Sequence, residues 1–463
     1  VYVFSFIAFD KTNENIYWIW GENTDKGELI ITPFSNISQR TVLHTAAAEM
    51  VKESFQFHPK DRSLLVFSEY HHYMKTVSFN DTIKEDLQYL DSLRPNDHLL
   101  IIDMSDDLQT WLVTYLSAES PHDAIIYHRD HRWTEFLFNA KPDLKGYPGL
   151  IQQIGFDYAA RDGLMIQAYL SLPPDVPLKT PAQVPEKDRS FAAQKMIPAK
   201  PQKMVITVHG GPESRDYYSY QPVVGLLTSR GYAVIQVNFR GSIGFGKRLT
   251  NAGNGEWSRK MNTDLIDAVD FAVAKGIANR SEVAILGGSY GGYATLAALT
   301  FTPDVFACGI DVFGPSNLVT LLETIPPYWK GIRKELVKMI GADTDTEEGR
   351  QYLIERSPFF IADRVKKPLL IMQGANDARV KEAESEQFVS ALKNHSIPVT
   401  YVLYPDEGHG FKRPPNVLSQ FGYIERFLHE CLGGGYEPYT DGQYNESAIV
   451  KSDGFASITQ PKQ

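Results

Sequence analysis

The 463 residues exceed one ordinary core, and roughly 150 residues per domain gives two or three units. With 43% hydrophobic and 22% charged residues the chain has the balance of a folded globular protein, which excludes a collagen-like or wholly disordered one. Lys plus Arg is 46 against 56 for Asp plus Glu. The net charge of −10 argues against a nucleic-acid backbone as partner, and no apolar run of about 18 residues is present to span a membrane.

Val1–Phe9 reads as a strand already in progress, without a signal peptide's basic region or cleavage site. The natural N-terminus, with any targeting signal, is therefore expected upstream. Residues 1–145 read as all-β, with short aromatic and β-branched runs between turn-forming stretches. Similar runs begin at residues 16, 64 and 112, a constant step of 48. A period of about 40–50 residues with several strands in each marks propeller blades. Three periods fall short of a propeller's usual count of about 4–8 blades, so an incomplete N-terminal β-propeller is expected, with an antiparallel sandwich as the alternative. Lys145-Gly-Tyr-Pro-Gly opens a junction, residues 146–202, holding a β-hairpin around Asp162-Gly163 and a Pro- and Lys-rich surface loop.

From residue 203 the pattern changes. Strand runs at Met204–Val208, Ala233–Asn238, Val283–Leu286, Cys308–Val312, Pro368–Met372 and Val399–Tyr404 alternate with helical stretches at Thr263–Lys275, Tyr293–Thr300, Glu382–Asn394 and Val417–Cys431. This alternation predicts an α/β domain over 203–432 with a mostly parallel sheet. Residues 433–463 lack an apolar period and are expected to form a flexible tail. Cys308 and Cys431 are too few for a disulfide framework and read as small core residues. They leave the compartment open, with the cytoplasm favoured.

The strongest chemical signal is Gly287-Gly288-Ser289-Tyr290-Gly291, between a strand run and a helical one. A serine on so sharp a turn needs glycine on either side and projects its hydroxyl above the sheet as a nucleophile. Such a serine requires a base oriented by a carboxylate, in the chain order Ser, acid, His. Asp377 and His409 stand after the next suitable strands; Asp406 and Glu407 are the rival acids. Two N–H donors must face the oxyanion. Tyr290 supplies one, and Gly211, in His209-Gly210-Gly211-Pro212 after the strand at 204, supplies the other. The glycine-rich string 241–248 has Arg248 where a phosphate loop needs Ser or Thr. His71-His72, His128 and His131 lack zinc-ligand spacing. Glu382, Glu384 and Glu386 read as a solvated helix face.

Together with Asn238-Phe-Arg-Gly-Ser242, Ser289-Tyr-Gly-Gly-Tyr293, Asp377-Ala-Arg379-Val380 and Asp406-Glu-Gly-His-Gly410, these motifs resemble the prolyl oligopeptidase family of serine peptidases over about residues 150–432. The HGGP form is most similar to the acylaminoacyl-peptidase and dipeptidyl-peptidase branch. The resemblance implies an α/β-hydrolase preceded by a β-propeller. It also implies substrate-binding roles for Tyr293, Arg379 and Val380; Arg215, in Pro212-Glu-Ser-Arg-Asp, is not counted among them. The expected activity is hydrolysis of small peptides through an acyl-enzyme. No metal or other cofactor is expected, and no nucleic-acid or membrane partner; a homo-oligomer is left open. A carboxylesterase and a catalytically silent propeller-based binding protein are the alternatives.

Overall fold

The computed structural model describes residues 4–119, 121–144 and 152–455. The chain divides into two units: residues 1–155 with 217–221 and 243–251, and the remainder. The Lys145-Gly-Tyr-Pro-Gly junction lies outside the described residues.

Among the described residues, the first unit contains three antiparallel sheets. Strands β1 (Phe4–Phe9), β2 (Asn15–Trp20), β3 (Glu28–Pro33) and β4 (Thr41–Thr45) form one, in chain order. The second is β5 (Glu49–Phe57), β6 (Leu64–Tyr70) and β7 (Met74–Ser78). The third is β8 (His98–Met104), β9 (Thr110–Leu116), β10 (Asp123–His128) and β11 (Trp133–Asn139). The runs at 16, 64 and 112 fall in β2, β6 and β9, each the second strand of its sheet, so the 48-residue step is a structural repeat. Along β9, Trp111, Val113 and Tyr115 are buried in alternation, as a pleated strand with one core face requires. They join a core with Leu65, Val66, Leu99 and Tyr127. A second core holds Tyr17, Leu29, Met50, Leu64 and Phe67. β6 feeds both, so every residue of it is buried. Trp111 is fully buried and donates its indole N–H to Leu108 O at 2.8 Å; truncation to Ala should cost about 3–5 kcal/mol.

The all-β expectation is corrected at one place. Lys84–Leu93 is a helix, with Glu85 and Asp86 in its first turn and Leu87 and Leu90 turned into the first of these cores. Carboxylates favour a helix N-terminus, and apolar residues three apart share one face.

The second unit is built on a nine-stranded sheet in the order β12-β13-β15-β14-β16-β17-β18-β19-β20. Its strands are β12 (Gln153–Ala159), β13 (Met165–Ser171), β14 (Gln202–Val208), β15 (Ala233–Asn238), β16 (Ala278–Gly288), β17 (Cys308–Val312), β18 (Leu369–Gly374), β19 (Thr400–Tyr404) and β20 (Ile449–Ser452). The six from β15 to β19 in sheet order pair in parallel, and they contain the six predicted strand runs almost residue for residue. Both faces of such a sheet are covered, so its strands read as continuous apolar runs.

Three expectations are corrected here. The hairpin at 153–171 is the edge of this sheet and not a separate junction, because β13 pairs with β15. Residues 433–455 are packed rather than loose: β20 pairs with β19, and Tyr439 and Phe455 are buried. Polar residues carry that packing, which is why no apolar period marks it. Ser419 Oγ lies 3.0 Å from Tyr439 Oη, and Gly454 N–H donates to Thr400 Oγ1 at 3.1 Å. Cys308 and Cys431 form a disulfide between β17 and the last turn of the helix Pro414–Leu432. They stand 123 residues apart, so only the packing of that helix beside the sheet brings them together.

Candidate active site

At the end of β16 the chain turns at Ser289 into the helix Tyr290–Phe301. Ser289 holds φ 58° and ψ −120°, a left-handed backbone that costs a non-glycine residue about 1–3 kcal/mol. The turn survives because its surroundings fix it. Ser289 N–H donates to Val312 O at 3.0 Å, and a Cβ added to Gly291 would lie 2.0 Å from Val208 O. Steric room, and not flexibility, is what the flanking glycines supply.

His409 Nε2 lies 3.0 Å from Ser289 Oγ, and His409 Nδ1 lies 2.7 Å from Asp377 Oδ2. Asp377 is 3% exposed, and its other oxygen accepts the N–H groups of Arg379 at 2.8 Å and Val380 at 3.0 Å. With every neighbour of this carboxylate donating to it, Nδ1 of His409 carries the proton, and Nε2 is left to accept from the serine hydroxyl. The rival carboxylates face elsewhere. Asp406 accepts from Asn416 Nδ2 at 2.9 Å and pairs with Arg413 at 3.1 Å, and Glu407 binds backbone N–H groups of residues 412 and 413.

The loop His209–Gly211 follows β14 and passes close to the nucleophile, since a Cβ on Gly210 would stand 3.3 Å from Ser289 Cβ. Gly211 adopts φ 117°, which glycine alone accepts readily. His209 Nδ1 donates to Gly210 O at 2.8 Å, its Nε2 accepts from Ser242 Oγ at 2.9 Å, and its ring stacks on Phe239 at 4.4 Å. Holding the Gly210 carbonyl on this side turns the Gly211 N–H, opposite it across the same planar peptide, away from His209. Burial lowers the His209 pKa and keeps the imidazole neutral, as this tautomer requires.

Two residues expected at the substrate, Tyr293 and Val380, are buried in this structure. Tyr293 is fully buried and donates its hydroxyl to Arg356 O at 2.7 Å. It packs with Tyr290 and Trp257, because four residues along a wholly buried helix lead back into the core. Val380 and Arg215 are each 4% exposed. Arg379 is exposed, with its guanidinium 5.7 Å from the Trp329 ring centre. Glu384 corrects the reading of a solvated face. It is 2% exposed and accepts the N–H groups of Ser316 and Asn317, each at 2.9 Å, and burial is the main cause that raises its pKa. In the near phosphate-loop string, Asp25 takes the N–H groups of Lys247 at 3.0 Å and Arg248 at 2.7 Å.

The sequence reading missed Phe313. It holds φ 46°, and its ring lies 4.7 Å from that of His409 and 5.7 Å from that of Phe411. No motif marks it; only its place one residue beyond β17 could have drawn attention.

Residues 218–435 match the profile of the prolyl oligopeptidase family. The matched stretch lies mostly in the second unit and includes Ser289, Asp377 and His409. Dipeptidyl peptidase family member 6 of Caenorhabditis elegans is 55% identical over 99% of this chain and 62% of its own length. Dipeptidyl aminopeptidase BIII of Pseudoxanthomonas mexicana is 49% identical over 77% of this chain and 49% of its own. The chain thus spans less than two thirds of the length of either relative. Among solved structures, a puromycin-hydrolyzing peptidase of Mycobacterium tuberculosis superposes with a TM-score of 0.74 at 24% identity, covering 92% of this chain and 61% of that one. An acylaminoacyl peptidase of Pyrococcus horikoshii gives 0.67 at 19% identity, with coverage of 95% and 65%. At these identities the structural matches speak for the fold.

Proposed function

We propose that this chain is a serine peptidase that hydrolyses small peptides by acyl transfer, of the dipeptidyl- or acylaminoacyl-peptidase type. The observation that carries the reading is the hydrogen-bonded row from Asp377 through His409 to a serine on a strained turn. In this reading Ser289 Oγ attacks the scissile carbonyl as His409 Nε2 takes its proton. Asp377 orients the imidazole and stabilises its cation. The N–H groups of Tyr290 and Gly211 receive the oxyanion, where preorganised donors act most strongly. His409 then gives its proton to the leaving amine, and water hydrolyses the acyl-enzyme with His409 as base again. Arg379 binds a backbone carbonyl of the substrate.

The reading of the N-terminal unit as part of a β-propeller rests on its three face-packed antiparallel sheets and the repeat they share. The disulfide favours an oxidising compartment over the cytoplasm. The test of the activity is labelling by a fluorophosphonate, followed by mass spectrometry of a peptide set with free and acetylated N-termini. Labelling that persists in Ser289→Ala would overturn the assignment of the nucleophile. Cleavage of acetylated peptides alone would select the acylaminoacyl type, and of free ones alone the dipeptidyl type.

A further inference from the structure

The loop that carries His409 is closed by a side chain to which the proposed chemistry gives no role. Glu407 is 4% exposed. Its Oε2 accepts the Lys412 N–H at 3.0 Å, and its Oε1 accepts the Arg413 N–H at 2.9 Å and Asn416 Nδ2 at 2.8 Å. These partners lie beyond His409 in the chain, so the hydrogen bonds form a ring over residues 407–413 with His409 inside it. The Arg413 guanidinium, whose backbone N–H the carboxylate holds, pairs with Asp406 instead. A buried carboxylate is tolerated where several N–H groups satisfy it, and here three do.

The main chain of the same residue reaches toward the acid. Glu407 O accepts the N–H of Asn376, the neighbour of Asp377, at 2.9 Å. Two further bonds run alongside, from Ala375 N–H to Tyr404 O at 3.0 Å and from Asn376 Nδ2 to Pro405 O at 2.8 Å. One side of the His409 loop is thereby tied to the loop of Asp377. Through Asn416 the other side is tied to the first turn of the helix Pro414–Leu432. His409 must meet Ser289 and Asp377 at once, and a misplacement of about 1 Å between reacting groups costs roughly 100-fold in rate.

We propose that Glu407 is a positioning residue for His409: its carboxylate closes the loop and thereby holds the imidazole between Asp377 and Ser289. The inference rests on the reading of His409 as the general base. A glutamine at 407 keeps the size of the side chain but turns one acceptor into a donor, so one of the three N–H groups loses its partner. An alanine at 416 leaves the carboxylate and both backbone bonds in place.

The test is steady-state kinetics of the full chain on a peptide nitroanilide it cleaves and on nitrophenyl acetate, with Glu407→Gln, Asn416→Ala and His409→Ala. Glu407→Gln should lower kcat roughly 10- to 100-fold on both substrates with KM within about 2-fold of wild type. Asn416→Ala should lower kcat by less, up to about 10-fold, again with KM held. The melting temperatures separate geometry from unfolding: the losses should persist in protein that melts well above the assay temperature. Wild-type kcat in Glu407→Gln overturns the inference, as does a loss that only tracks the folded fraction. Should that variant not fold, wild-type kcat in Asn416→Ala overturns it instead. Undiminished turnover in His409→Ala would overturn the reading of the base itself, an outcome distinct from either of these.

Discussion

The two units of this chain use β-sheet in opposite ways. In the N-terminal unit, three separate antiparallel sheets stack on shared cores, and the repeated strands β2, β6 and β9 have the same place in each. In the hydrolase unit, one sheet runs through six parallel strands, and its loops hold Ser289, Asp377 and His409 just beyond β16, β18 and β19. The repeat asks only that each strand pack against the next sheet, so many apolar residues serve at each position. The loops ask for single residue types at fixed places, because a hydroxyl, an imidazole and a carboxylate are not interchangeable.

The largest expected effect falls on the hydrolase unit and leaves its fold alone. Ser289→Ala should lower peptide and ester turnover roughly 10,000-fold or more, with an unchanged melting curve, since the lost hydroxyl contributes only to chemistry. Retention of a tenth of the wild-type rate would remove Ser289 from its role. An alanine at Trp111, in contrast, should damage folding and touch activity only through it.

This contrast accounts for what could be read in advance. The six parallel strands, the order of Ser289, Asp377 and His409, and the 48-residue step were all legible, each from a local pattern with a physical cause. What escaped depends on the third dimension. Cys308 and Cys431 lie 123 residues apart and meet through packing. Glu384 is buried because Ser316 and Asn317, far off in the chain, donate to it. Tyr293 faces the core because the helix Tyr290–Phe301 is buried on all sides, a fact its first turn does not announce. The strand β20 is held by pairing with β19 rather than by apolar residues of its own.

The disulfide offers a second way to separate the units, because both cysteines of the sequence lie in the hydrolase unit. A closed loop of this length constrains the unfolded chain by about 5 kcal/mol on the chain-entropy account. Replacing both cysteines by alanine should destabilise the hydrolase unit by up to about that amount. Hydrogen exchange read by mass spectrometry reports each unit by its own peptides. Peptides from β15 to β19 should exchange faster while those from β2, β6 and β9 hold their protection. Equal loss in both would mean that the units unfold as one.

A pH titration probes the other side. In the N-terminal unit the ring of His98 is packed between Tyr73, at 5.3 Å, and Tyr218, at 4.7 Å, and its Nε2 is buried without a hydrogen-bond partner among the described residues. Burial pushes its pKa down to about 4, whereas the unfolded chain titrates near about 6.5. Between these values the unfolded state binds more protons, so this contribution is complete above about pH 6.5 and is lost as pH falls toward about 4. The full loss comes to about 3 kcal/mol. Exchange in β8 and β9, corrected for its intrinsic pH dependence, should rise between pH 7 and 4.5 in the wild type and less in His98→Phe. An unchanged slope in that variant would assign the acid sensitivity to another group.

Arg379 is the smallest effect and tests where legibility ends inside the hydrolase unit. Its backbone N–H is committed to Asp377 Oδ1 at 2.8 Å, so the residue supports the acid whatever its side chain does. The guanidinium is exposed, lies 5.7 Å from the Trp329 ring centre and carries fixed donors suited to a carbonyl. A peptide presents such a carbonyl beside the scissile bond, and an acetyl ester does not. A hydrogen bond from a charged donor contributes about 1.5–3 kcal/mol, or roughly 10- to 150-fold in kcat/KM. Arg379→Ala keeps the backbone bond and should lower peptide cleavage by that factor while leaving acetyl-ester hydrolysis nearly untouched. Equal losses on both substrates would assign the side chain to holding the Asp377 loop, and the motif around it would then report structure where it was read as recognition.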